Sequence, residues 1–295
     1  MDDRIYSDLA LESNYALRSK LGEADGYREF ERHGFKICRL DIDSEELSEK
    51  YQRERGSYIT VVCGEIWCFT EEMSELLSSL LADEIRKMLV SVTKKKMTAS
   101  FSVLVVGLGN AEITPDAIGP LTVSKLTVTR HINSINTDIF DKLGQCSVSA
   151  IAPGVLAQTG IETLEIIRGA VNSISPDAVI AVDALAARSC SRLGSTVQIS
   201  DCGISPGSGI GNLRKAINRK NLGVPVIALG VPTVVDSSTL VYDALEKAGI
   251  DSPPKLREIL DNGRGFFVSP KEGDIISERV SQLLSNSLDY AFCVL

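Results

Sequence analysis

A chain of 295 residues that is 44% apolar and carries a net charge of −8 can bury a large core and is too apolar to stay disordered. Its lysines and arginines are scattered, which offers no cationic footprint for nucleic acid or an anionic membrane. The opening residues hold no apolar core of signal-peptide length, and no later run approaches the ~18 apolar residues of a membrane span. The expectation is a cytoplasmic chain with neither a nucleic-acid nor a membrane partner. With two histidines, His33 and His131, and seven cysteines without a C-x-x-C pair, a histidine-based triad or zinc site has little to draw on. The thiols are expected to be reduced and structural, because no histidine stands near Cys190 or Cys202 to act as a base.

In chain order, residues 1–56 are rich in charge, show no buried-strand pattern, and carry one helix over 44–53; they are expected to lie as an appendage on the main domain. A strand follows over 58–63. Thr70, with Glu71 and Glu72 behind it, reads as the cap of a long helix ending near Thr93, whose Leu76, Leu77, Leu80, Leu81, Ile85, Leu89 and Val92 make one core-facing stripe. The run VLVVG over 103–107 has the unalternating apolar character of a central parallel strand. It leads through Gly109, Asn110 and Thr114 to Asp116, and then to a helix over 119–129 with His131 near its end. Another strand is expected over 147–151, then a helix opened by a capping box at Thr159 and Glu162. The apolar run 178–182 ends at Asp183. After a strand over 196–199 comes the most glycine-rich loop of the chain, 203–212, which includes Gly207 and Gly209. A strand over 224–230 and a last helix from Ser269, boxed by Glu272, complete the pattern. Strands alternating with helices argue for a three-layer α/β/α sandwich on a mostly parallel sheet, in a single domain.

Asp116 and Asp183 are each expected at the carboxyl end of a buried strand, where ligands gather. If the strands are neighbours, the two carboxylates cannot both ionise cheaply, so one can serve as acid while the other activates water. The same pair could hold a divalent metal, or Asp116 could cap the next helix while Asp183 satisfies a loop. The G-x-G beginning at Gly107 has Glu112 where a dinucleotide site needs its third glycine, which argues against a phosphate. The 203–212 loop lacks a P-loop ending and is expected to line a cleft or clamp a peptide backbone. Arg188 and Arg192 either orient carboxylates or pair with surface acids.

The blocks GLGNAEITPDAIGP, APGVLAQTGIETLEIIRG, PDAVIAVDALAAR, ISDCGISPGSGIGN and GVPVIALGVPTVVD resemble, in order, those of the germination protease family. The resemblance covers most of the chain from about Asp8. It implies an atypical aspartic-type endopeptidase of the forespore and spore core, made as a zymogen, assembled as a homotetramer and acting on small acid-soluble spore proteins. It implies a fold related to the hydrogenase-maturation endopeptidases and matches the family's essential aspartates to Asp116 and Asp183; separately, no cofactor or metal is expected, since no histidine follows Asp183. Ser7 to Glu12, SDLALE, resembles the site the family cuts in its substrates. The expected cut therefore falls between Asp8 and Leu9, leaving 1–8 as a propeptide and 9–295 as a single peptidase domain, with Arg188 a candidate partner for the acid before the cut. Gly109, Asn110, Thr114, Arg188, Gly207 and Gly209 are the cleft candidates. The competing expectations are a metal-dependent maturation peptidase, which the lack of any histidine after Asp183 disfavours, and a non-catalytic sporulation protein.

Overall fold

The apolar runs become strands of one mixed sheet in the computed structural model, which describes residues 7–13, 25–207, 215–262 and 265–294. The strands are β1 (Tyr27–Arg32), β2 (Phe35–Ile42), β3 (Gly56–Val62), β4 (Ser102–Gly107), β5 (Ser147–Ile151), β6 (Ala178–Ala187), β7 (Thr196–Ser200), β8 (Val226–Asp236) and β9 (Phe267–Val268). They lie in the order β1-β2-β3-β7-β8-β6-β4-β5, with β9 on β8. Crossovers lead from β4 to β5 on one side and then to β6 and β8 on the other, so the topological switch falls between β4 and β6.

The expectation of a mostly parallel sheet is corrected: among the described residues only β4–β5, β4–β6 and β6–β8 pair parallel, and the other five strand pairings are antiparallel. One cause is the short 188–195 connection between β6 and β7, because a parallel return needs a crossover of about a dozen residues or more. The other is that residues 27–42 are part of the sheet. β2 alternates buried and half-buried side chains, with one slip at Ile37 and Cys38, and His33 and Gly34, at φ 55 and 79, form the tight turn to β1 that favours positive φ at both positions. The hairpin is tied down where Arg39 and Arg32 meet Glu84, a buried acid on the Glu71–Thr93 helix.

Alternate residues of the strands feed two cores on opposite faces. Val103, Val105, Ile180, Val182, Ile227 and Leu229 pack with the helices Glu71–Thr93 and Gly273–Phe292, while Leu104, Val106, Val179, Ala181 and Val226 pack under the Thr163–Ile174 helix. The Glu71–Thr93 helix starts as expected, with the Thr70 hydroxyl accepting from Met73 N–H. Leu77, Leu80, Leu81, Ile85 and Leu89 are buried, each contributing ~1.5–3 kcal/mol, whereas Leu76 is 40% exposed because it falls off the stripe. Three helix boundaries differ from expectation. The Ile118–Lys125 helix stops short and a new one, Arg130–Ile135, begins, placing His131 in a first turn. Gly160, left-handed at φ 69, ends the short Leu156–Thr159 helix before Thr163–Ile174 starts. The last helix starts at Gly273, and Glu272 makes no capping bond.

Strand length then shapes the site. β4 stops at Gly107, opposite Val182, whereas β6 runs on beside β8 to Ala187. Asp183, Gly230 and Gln198 are in register across β6, β8 and β7, so the side chains of Asp183 and Gln198 rise on the same face, roughly two strand spacings of ~4.8 Å apart.

Candidate active site

Asp116 reaches this face through a turn that its own sequence closes. Beyond β4, Leu108 N–H donates to Val182 O at 2.8 Å, which lays the turn beside Asp183. Gly109 has φ +107, and a Cβ there would stand 2.1 Å from Asp116 O and 2.8 Å from its Oδ1, so only glycine lets the turn close this tightly. Asn110 N–H donates to Asp116 Oδ2 at 2.8 Å. From behind, Ser277 Oγ donates to Thr114 O at 2.9 Å and Thr233 Oγ1 to Pro115 O at 2.6 Å. Asp183 is 6% exposed, and its Oδ1 accepts from Ala184 N–H at 2.9 Å. The tip position expected for it is corrected: Asp183 lies inside β6, just where β4 has ended. The N-cap of the Ile118–Lys125 helix is Ala117 rather than Asp116. Both aspartates line one cavity of about 670 Å³.

Of the cleft candidates, Gly109 and Gly207 line this cavity, and Asn110 orients Asp116 from outside it while its side chain accepts from Glu112 N–H and Gln158 Nε2. Thr114 is instead a brace, its hydroxyl donating to Asp274 Oδ1 at 2.9 Å. Arg188 spends its guanidinium on Glu246. Gly209 lies outside the described residues. Among the described residues no group of three His, Cys, Asp or Glu side chains could hold a metal ion.

The 7–13 segment lies across the cavity, with Ser7, Asp8 and Ser13 in its lining. Asp8 N–H donates to Ala186 O at 2.9 Å, and Asp8 Oδ2 accepts from Ala186 N–H at 2.8 Å. Leu9 is fully buried among Leu185, Ala187, Leu193 and Val235, and Ala10 is enclosed by Leu40, Ile42, Tyr51 and Tyr58. Glu12 is held by main-chain N–H groups, Oε2 by Arg188 at 2.7 Å and Oε1 by Ser189 at 2.9 Å. Ser7 Oγ accepts from Leu9 N–H at 3.1 Å and donates to Glu12. Each distinctive residue of the SDLALE pattern thus meets a partner suited to it: a backbone donor for each acid, an apolar pocket for leucine, a closed one for alanine.

Two residues that sequence reading passed over complete the site. Gln198, 8% exposed, donates to Asp8 O and accepts from Ala10 N–H; a glutamine between Val197 and Ile199 in a fully buried strand was a usable signal. Arg53 donates to the carbonyls of Ser7 and Asp8 and to Ser13 Oγ, and nothing in its charged surroundings marked it. Burial pulls its guanidinium below the usual range, with Tyr58, Asp8 and Glu12 opposing. Cys202 also lines the cavity; burial, with Asp201 and Glu54 adding to it and Tyr58 opposing, pushes its thiol up to about 12.

Comparison with known proteins places the chain. A family model described as germination protease matches residues 8–248. The germination protease of Clostridium acetobutylicum is 38% identical over an alignment of 313 residues, covering 97% of this chain and 94% of that protein. That of Clostridium tetani is 35% identical over 313 residues, covering 97% and 95%. That of Bacillus subtilis is 44% identical over 250 residues, covering 82% of this chain and 66% of the relative. By the extent and order of these matches, the chain belongs to the germination protease family of peptidases.

Proposed function

We propose that this protein is an aspartic-type endopeptidase that starts the breakdown of small acid-soluble spore proteins during germination, and that it is made as a zymogen which cuts itself between Asp8 and Leu9. The observation that carries the proposal is that Asp8 lines the same cavity as Asp116 and Asp183, with its flanking residues held one by one. Water between the two carboxylates gives a proton to the ionised one and adds its oxygen to the Asp8 carbonyl carbon. The intermediate collapses as the protonated carboxyl delivers its proton to Leu9 nitrogen, leaving a carboxylate on Asp8 and an amine on Leu9. Substrates with the same residue order would then take the path of the 7–13 segment once it is released. In the same reading, the two-faced core is the centre of a three-layer sandwich akin to the hydrogenase-maturation endopeptidases, and the working form is a homotetramer in the forespore and spore core.

The test is self-cutting of the full chain, followed by sequencing of the new N-terminus. Parent protein should expose Leu9, and Asp116→Asn and Asp183→Asn should each slow this by about 10³-fold or more while remaining folded, since each removes a titratable group at nearly constant volume. A different terminus, or either variant within about tenfold of the parent, removes the assignment.

A further inference from the structure

We infer that Arg53 and Gln198 form the carbonyl-binding site of this protease, the pair of donors that holds negative charge on the oxygen of the bond being cut. The inference rests on the reading that Asp8–Leu9 is that bond. The Asp8 carbonyl oxygen receives Arg53 Nη1 at 3.0 Å and Gln198 Nε2 at 3.0 Å, a converging pair of side-chain donors of the kind that stabilises tetrahedral intermediates.

Both donors are fixed before any reaction. The Gln198 carboxamide is oriented by its other end, since its Oε1 accepts from Ala10 N–H at 2.7 Å and so turns its NH2 toward Asp8. Arg53 follows Gln52, a left-handed residue at φ 52, and its backbone is stapled by Ser48, whose O accepts from Arg53 N–H at 3.1 Å and whose Oγ donates to Arg53 O at 2.6 Å. The guanidinium is spread by two further bonds, Nη2 to Ser7 O at 2.9 Å and Nε to Ser13 Oγ at 3.2 Å.

When water adds to the carbonyl carbon, the π pair moves onto this oxygen; when Leu9 nitrogen leaves, the pair returns. A half-buried cation gains more from the full negative charge of the intermediate than from a neutral carbonyl, which lowers the barrier rather than merely binding the segment. Asp116 and Asp183 are then left with the proton transfers. The bonds holding the Asp8 and Glu12 side chains come instead from the main-chain N–H groups of Ala186, Arg188 and Ser189, so the docking of those two side chains can be read apart from the contacts that Arg53 and Gln198 make.

The experiment measures self-cutting of the full chain in Arg53→Lys and Gln198→Met, together with hydrogen exchange at the amides of Ala186, Arg188 and Ser189. The expected result is about 100-fold slower appearance of the Leu9 terminus in each variant, with protection at the three amides kept. Rates within about threefold of the parent in both variants overturn the inference. So does a slow rate matched by lost protection, which would make the pair docking residues alone. A parent chain that never exposes Leu9 removes the self-cutting reading itself, and this inference with it.

Discussion

The turn that carries Asp116 closes because residue 109 has no side chain, so the consequence of giving it one can be stated. In Gly109→Ala the new methyl would meet a backbone oxygen at 2.1 Å at a φ of +107, in a turn braced on its far side by Ser277 and Thr233. A loss of about 3 kcal/mol of stability is expected from denaturant unfolding, with self-cutting reduced more steeply because Asp116 moves with the turn. Cys202 presents the opposite case: it lines the cavity, but its thiol is turned to the backbone of Glu54 and Arg55. With its thiol pushed up to about 12 it stays protonated at neutral pH and is a poor nucleophile, so Cys202→Ser should cut itself at a rate within about twofold of the parent. A rate lost outright in a folded protein would reverse that view. Asp116 and Asp183 stood out because each follows a short apolar run, and SDLALE because it resembles the family's cut site, whereas Arg53 did not, because its contacts depend on what lies across the cavity.

Among the elements, the extension of β6 and β8 past the end of β4 makes the apolar pocket for Leu9, and Asp236 is where that extension ends. Its Oδ1 accepts from Ser238 N–H at 2.9 Å and Thr239 N–H at 3.0 Å, capping the Ser237–Lys247 helix. Asp236→Ala should cost about 1 kcal/mol in unfolding and also slow self-cutting, since the neighbouring Val235 packs on Leu9. Elements with a clean period were readable: the Glu71–Thr93 helix and β5 fall where the pattern put them. The β1–β2 hairpin escaped notice because β1 is charged and largely exposed, and the alternation of β2 slips by one residue at Ile37 and Cys38. The boxes assigned at Thr159 and Ser269 failed for a different reason: the chain bends at Gly160 and after β9 before either helix begins.

The sheet is held on one side by the Gly273–Phe292 helix, whose Asp289 gives the whole molecule a readable pH response. Asp289 is half-buried and accepts from Thr127 N–H and its hydroxyl, both at 3.1 Å; burial raises its pKa against the lowering by those two bonds. A carboxyl raised in the fold favours folding in its protonated form, so its contribution is complete below the unfolded value and is lost as pH rises through the folded one. Asp289→Asn should therefore unfold at higher denaturant than the parent at pH 7, with the difference vanishing toward pH 3. By itself the sequence determines its periodic helices, its glycine-ended strands and the two aspartates that follow apolar runs, because these are written in neighbouring residues, while the cut-site pattern near its start is read from its resemblance to family substrates. It does not specify that β4 stops short beside Asp183, that Asp8 shares a cavity with Asp116, or that Arg53 and Gln198 meet on one carbonyl. Those follow from which strands become neighbours and how far each runs, and that is settled by tertiary packing: helices from opposite ends of the chain meet on one face of the sheet while Thr163–Ile174 covers the other.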